Sequence, residues 1–235
     1  MNTFLKDHTH AIKALVFTRD GSKLACAGAT LEIVIFNLAT NDVFKTLEGH
    51  SDADIAYMDF NDDGSRLISC GGWGHGNPIL KIWNVNTGEC IKVLKGHTTT
   101  VNHVAYNHDE SLIASASSDS TVRVWNVNTG KCLLLLGNLI EDISKLNKDP
   151  SKGHTGFVFG VVFNHDGSLL ASGASDGTIR LWNVKNGSCL FTLKGPMYFS
   201  HINTTNIKLG NIKVRNGIFP ISKLAFNGTK LICPT

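Results

Sequence analysis

Nowhere in this 235-residue chain is there an apolar run of the roughly 18 residues that a membrane-spanning helix needs, so no membrane partner is expected. None of its six cysteines forms a C-x-x-C pair, which leaves structural zinc and dithiol redox chemistry without a motif. The opening residues Met1 to His8 lack the long apolar stretch of a secretory leader, and export is therefore not indicated. Charge is scarce in net terms: a balance of +3, with Lys and Arg dispersed, argues against nucleic acid or an anionic lipid surface as a partner. With export unsupported, the expectation is an intracellular protein, cytoplasmic or nuclear. At 42% hydrophobic content the chain is long enough to bury a sizeable core.

What is present is repetition. Gly96-His97, Ser115, Asp119 and Trp125-Asn126 recur as Gly153-His154, Ser172, Asp176 and Trp182-Asn183. In both copies His to Ser spans 18 positions, Ser to Asp 4 and Asp to Trp 6. A catalytic site needs its chemistry once, so polar residues repeated at fixed spacing describe a building unit. Around His50 the register gives Ser69 and Trp83-Asn84, with Asn77 in the Asp position and an insertion within Gly71-Gly72-Trp73-Gly74-His75-Gly76. Around His8 it gives Cys26, Thr30 and Phe36-Asn37, and near Pro220 a further copy opens with Phe226 and Cys233 in register. The His-to-His intervals of 42, 47 and 57 lie near the period of about 40–45 residues of propeller blades.

Within a unit the pattern reads strand upon strand. Val158 to Phe163 precedes the turn Asn164-His165-Asp166-Gly167; Leu169 to Gly173 precedes Ser175-Asp176-Gly177. Thr178 to Trp182 alternates with period two, placing Arg180 and its counterpart Arg123 outward, and Asn186-Gly187 turns into Cys189 to Leu193. The reading is all-β, with four short antiparallel strands per unit. A single sheet of that size cannot bury two apolar faces, so units stack face to face. Cys90, Cys132 and Cys189 each fall seven positions after a Trp, one equivalent place in three units, and all the cysteines are expected to be small buried hydrophobes rather than disulfide partners.

The Gly-His pairs together with Val124-Trp125-Asn126 and Leu181-Trp182-Asn183 resemble the WD-repeat β-propeller family, with Asn in place of the second signature residue. The resemblance covers a single domain, 1–235, with repeats at about 5–48, 49–95, 96–136 and 153–195, a partial fifth at 217–235, and insert loops at 137–152 and 196–216. It implies a propeller of four-stranded antiparallel blades, incomplete at about four and a half blades, an open arc. It also implies that each His, Ser, Asp and Trp form a hydrogen-bonded tetrad: His97, Ser115, Asp119, Trp125; His154, Ser172, Asp176, Trp182; and, degraded, His50, Ser69, Asn77, Trp83.

In such proteins partners land where the loops between blades and the Asp turns meet. By position, that face carries Ala11, Lys13 and Ala29; Asp54, Ala56 and Gly76; Thr100, Asn102 and Ser118; and Phe157, Phe159 and Ser175. Trp73, His75 and the 137–152 loop rise from it too. The two phenylalanines stand where the neighbouring repeat has Thr and Asn, and exposed aromatics there suit partner capture, unless they pack beneath a loop.

Ser115, His97 and Asp119 have the residue types of a hydrolase triad, but repetition and the lack of a G-x-S-x-G elbow oppose it. The Gly71 to Gly76 run leads into a strand, with no helix N-terminus to bind phosphate. The histidines are repeat or turn residues, with His10, His75, His103 and His201 scattered, so no metal site and no cofactor are expected. The expectation is a non-enzymatic scaffold with protein or peptide partners. Unclosed blade flanks allow self-association, and the alternative is a truncated fragment without independent activity.

Overall fold

The computed structural model describes residues 11–28, 31–50, 54–73, 78–137 and 151–194, with only the backbone of Trp73, and adds the backbone of short strands between 202 and 232. The chain divides into two compact units, Met1–Val104 and Ala105–Thr235.

Sixteen strands form four antiparallel sheets, each in sequence order, which are the blades. Blade 1 comprises β1 (Ile12–Phe17), β2 (Lys23–Gly28), β3 (Glu32–Asn37) and β4 (Asp42–Glu48). Blade 2 comprises β5 (Asp54–Phe60), β6 (Arg66–Trp73), β7 (Ile79–Asn84) and β8 (Cys90–Lys95). Blade 3 is β9 (Val101–Tyr106), β10 (Leu112–Ser117), β11 (Thr121–Asn126) and β12 (Cys132–Gly137). Blade 4 is β13 (Val158–Phe163), β14 (Leu169–Ala174), β15 (Thr178–Asn183) and β16 (Cys189–Lys194).

Beyond them lie β17 (Ile202–Asn203), β18 (Lys208–Leu209), β19 (Ile212–Lys213), β20 (Ile218–Phe219), β21 (Ala225–Asn227) and β22 (Lys230–Ile232). β18 pairs with β19 inside the stretch read as an insert loop, β17 with β20 across its end, and β21 with β22 in the stretch read as a partial fifth repeat.

Local chemistry sets the turns. After the aromatic residue of each third strand, the Asn side-chain oxygen accepts the amide two or three residues on: Asn37 from Ala39, Asn84 from Asn86, Asn126 from Thr129 and Asn183 from Lys185, at 2.7–2.9 Å. Only an oxygen is used, so Asn serves where the family signature carries Asp. Opposite the same aromatic, every blade shifts register by a bulge, between Ile35/Phe36, Ile82/Trp83, Val124/Trp125 and Leu181/Trp182. In the first turn of blade 4, Gly167 takes φ +70°, and blade 3 puts Glu110 in the same left-handed region at φ 58°.

Blades pack by opposite faces. In the first unit Ala14, Ala25, Ala27, Ile33, Ile35 and Leu47 of blade 1 meet Ile55, Met58, Phe60, Leu67, Trp83 and Val85 of blade 2. In the second unit Ala114, Ala116, Val122, Val124 and Leu136 of blade 3 meet Val158, Val161, Phe163, Leu170 and Trp182 of blade 4. Small and branched residues on one flank thus receive the bulky row of the next, as close packing requires.

Two expectations are corrected. Arg180 does not project outward: it is 3% exposed, and Arg123 is partly buried with its Nε shut off from water. Alternation separates a strand's two faces without saying what covers them: the row of Val161 and Arg180 packs beneath blade 3, and each guanidinium lies over the indole two residues on, 5.8 Å from the Trp125 or Trp182 ring. Nor are all the cysteines buried. Cys26 and Cys70 are, on second strands, but Cys90 and Cys132 are exposed and Cys189 is half-buried, because each opens a fourth strand at the sheet edge.

Candidate interaction surface

Blade 4 shows the polar interior most fully. Burying the Trp182 indole leaves an N–H that needs an acceptor, and Ser172 Oγ supplies it at 2.8 Å. Ser172 Oγ also lies 2.7 Å from His154 Nε2. Nδ1 faces the Asp176 carboxylate, which can only accept, so Nδ1 carries the proton of the neutral ring and Nε2 accepts from the Ser172 hydroxyl. Nδ1 reaches Thr178 Oγ1 at 2.9 Å and the Asp176 carboxylate at 3.3 and 3.4 Å. Asp176 also accepts the Thr155 amide at 2.8 Å, the Thr178 amide at 2.9 Å and the Thr178 hydroxyl at 2.7 Å. Burial pulls the His154 imidazole below its usual range while Asp176 pushes back, so the ring is neutral at pH 7. Burial pushes the Asp176 carboxyl up, but the bonds from His154, Thr178 and Thr155 outweigh it and hold it well below the usual carboxylate range.

Blade 2 repeats the first half of this chain. Trp83 Nε1 donates to Ser69 Oγ at 2.8 Å, and Ser69 Oγ lies 2.7 Å from His50 Nε2. Burial, with Lys81 nearby, brings His50 down to about 4. Asn77 lies outside the described residues. In blade 3 Trp125 Nε1 donates to Ser115 Oγ at 2.8 Å, and Asp119 accepts the Thr121 amide and hydroxyl at 2.9 and 2.6 Å; His97 is buried. In blade 1 Cys26 and Phe36 are buried, with no indole to satisfy. The His–Ser contact has the connectivity of a hydrolytic triad. Yet Ser69, Ser115 and Ser172 are fully buried and each accepts an indole N–H, which leaves no path for a substrate carbonyl.

The candidate partner residues fall into two groups. In the first unit Asp54 forms an ion pair with Lys13, and Thr100 Oγ1 donates to Gly72 O at 3.1 Å. Asn102 and Ala56 are half-buried and Ala11 is exposed; the Trp73 side chain, His75, Gly76 and Ala29 lie outside the described residues. In the second unit Phe157 and Phe159 are 54% and 38% exposed, their rings edge to face with centroids 6.4 Å apart. The exposed Ser175 sits beside them, its amide donating to Phe157 O at 2.8 Å. Gly156 makes this possible, since a Cβ there would lie 2.4 Å from Ser175 Oγ. Ser118 is half-buried on blade 3.

Sequence reasoning passed over several groups that the structure brings into play. Thr155 and Thr178 share the Asp176 carboxylate; Thr121 two residues after Asp119 repeats that pattern and was a legible signal. In the first unit Tyr57 stacks on His103 with centroids 4.0 Å apart, and burial brings His103 down to about 4. No spacing within a repeat announces that pair. Among the described residues no group of three or more His, Cys, Asp or Glu converges to hold a metal, and no helix is long and apolar enough to cross a membrane.

Comparison with known proteins follows the same units. The family model described as WD domain, G-beta repeat, matches residues 41–84, 88–126 and 147–183. Apoptotic protease-activating factor 1 of Rattus norvegicus is 30% identical over 183 residues, 78% of this chain and 13% of that protein. A guanine nucleotide-binding protein subunit beta of Oryza sativa subsp. japonica is 29% identical over 206 residues, 79% of this chain and 50% of its own length. Nuclear distribution protein PAC1 of Arthroderma otae is 29% identical over 220 residues, 81% of this chain and 44% of its own. The chain thus spans half or less of the length of these relatives.

Proposed function

This chain belongs to the WD-repeat family, and from that premise we propose that it is a non-catalytic interaction scaffold that captures a protein or peptide partner on the loop face of its blades. The observation that carries the reading is the Phe157–Phe159 pair: two aromatic rings, edge to face, exposed to solvent at the start of β13, whose Val158, Val161 and Phe163 are buried. Large exposed aromatics lose little rotamer freedom on contact and are the residue type that anchors interfaces. Ser175 supplies an adjacent hydroxyl, so an apolar side chain with a neighbouring polar group suits the site.

The polar interior has a different task. Its serines and histidines are committed to the indoles and turns, and that commitment supports a structural role over a catalytic one. A relative named as a subunit of a guanine nucleotide-binding protein supports a role within an assembly. The test is affinity capture from the source organism with the wild-type chain and with Phe157→Ala/Phe159→Ala. Proteins retained by the wild type and lost by the double variant support the reading; an unchanged set, or hydrolysis abolished by Ser172→Ala in a folded chain, overturns it.

A further inference from the structure

The first turn of every blade follows one pattern: Thr18-Arg19-Asp20-Gly21, Asn61-Asp62-Asp63-Gly64, Asn107-His108-Asp109-Glu110 and Asn164-His165-Asp166-Gly167. Within each unit the two turns abut. A Cβ on Gly64 would lie 2.8 Å from Thr18 Cγ2, and one on Gly167 would lie 3.3 Å from Asn107 Nδ2. The second residue of a turn therefore meets its counterpart across the blades. In the first unit that meeting is an ion pair, Arg19 with Asp62. In the second unit it is a pair of imidazoles, His108 and His165, with ring centroids 4.3 Å apart and planes 36° from parallel.

Arginine and aspartate attract directly, whereas two imidazoles bring nitrogen donors to one place, the ligand type that zinc, copper and nickel ions favour. The turns that carry them are held from within. Asn107 Nδ2 donates to Asp109 Oδ1 at 2.7 Å and to Ser111 Oγ at 3.2 Å, and Asn107 Oδ1 accepts the Leu112 amide at 2.8 Å. Asn164 repeats this with Asp166, Ser168 and Leu169 at 2.8, 3.2 and 2.9 Å. Both histidines are exposed, so rotating their rings disturbs no core group. An ion about 2.0–2.1 Å from one nitrogen of each ring needs those nitrogens roughly 3–3.5 Å apart, which rings at this spacing reach by rotation. Asp109 and Asp166 follow directly in sequence and are exposed too. The bonds from Ser111 and Ser168 hold their carboxyls below the usual carboxylate range, so negative charge stands next to the pair.

We propose that His108 and His165 form a two-imidazole site for a zinc ion, which ties the first turn of blade 4 to that of blade 3 as the Arg19–Asp62 ion pair ties blade 2 to blade 1. Two protein donors are fewer than a structural zinc site supplies, so the ion keeps water at its remaining positions and exchanges with the medium. Each imidazole must be neutral to ligate, and binding therefore weakens in acid. Either histidine read alone is a turn residue; the packing of two blades makes them a pair.

Histidine ring NMR of the full chain, titrated with Zn²⁺ at pH 7.5, tests this. The His108 and His165 signals are expected to move together, and Mg²⁺, which prefers oxygen donors, to move neither. His165→Asn should weaken the response of His108 by about 10²-fold, because the second donor acts at high effective concentration. Signals that move independently, an equal response to Mg²⁺, or a His108 response that His165→Asn leaves unchanged each overturns the site. Should that variant fail to fold, paramagnetic Ni²⁺ on the wild type decides. Line broadening centred on residues 107–110 and 164–167 supports the site; broadening centred elsewhere, or none, overturns it.

Discussion

Blades 2 and 4 solve the same problem to different depths. Both pass a proton chain from indole to serine to histidine with identical distances, 2.8 Å and then 2.7 Å. Of these two, blade 4 is the one whose described residues continue it, through Asp176 to Thr178 and to the amide of Thr155. The shared part is therefore what a buried tryptophan demands. The added part ties the approach to β13 onto the turn before β15, and so positions the segment that carries Phe157.

The largest expected effect strikes the shared part. Trp83→Ala and Trp182→Ala should each cost about 3–5 kcal/mol in urea unfolding, since a fully buried indole is removed from a close-packed flank. A much smaller loss in one blade would break the equivalence.

Next comes pH, where the two blades should part. His50 has no carboxylate among its described partners and is held at about 4 against an ordinary 6.5. A depressed histidine means that the unfolded chain binds the extra proton. Stability is then full above pH 6.5 and falls as the pH drops from 6.5 toward 4, by up to about 3 kcal/mol for this one group. His103 contributes in the same direction. Urea melts at pH 7.5 and pH 5 should show about 2 kcal/mol of loss from His50, and His50→Gln should remove that share while His103 keeps its own; a profile that His50→Gln leaves unaltered contradicts the assignment.

Removing the serine strands the indole donor and the imidazole, so Ser69→Ala and Ser172→Ala should cost about 1–3 kcal/mol. A loss as large as that of the tryptophans would mean that hydrogen bonding, not apolar burial, dominates. The smallest effect makes blade 4 like blade 2: Asp176→Asn should cost about 1–2 kcal/mol and lower the His154 titration further, as seen by histidine proton NMR. An unchanged His154 would show that the carboxylate does not act on it.

Much of this was legible because hydrogen-bonding residues at fixed spacing carry geometry with them. Ser to Trp at ten positions is the register of adjacent antiparallel strands, seen as Leu170↔Trp182 beside Ser172↔Arg180. Arg180 misled because period two reports a strand's two faces but not what covers them. Cys90 and Cys132 misled for the converse reason: a residue type usually buried stands at an edge that nothing covers. Tyr57 and His103 belong to different repeats, so their stacking depends on how neighbouring blades pack and has no trace in either repeat alone.

The division between a polar interior that holds the blade and an aromatic exterior that meets a partner is tested most directly by thermal melting of Phe157→Ala/Phe159→Ala beside Trp182→Ala. At this chain length 1 kcal/mol corresponds to about 2–4 °C, so the tryptophan variant should melt roughly 6–20 °C below the wild type and the double phenylalanine variant within about 2 °C of it. A double variant that falls as far as Trp182→Ala would place both rings in the core and contradict the account.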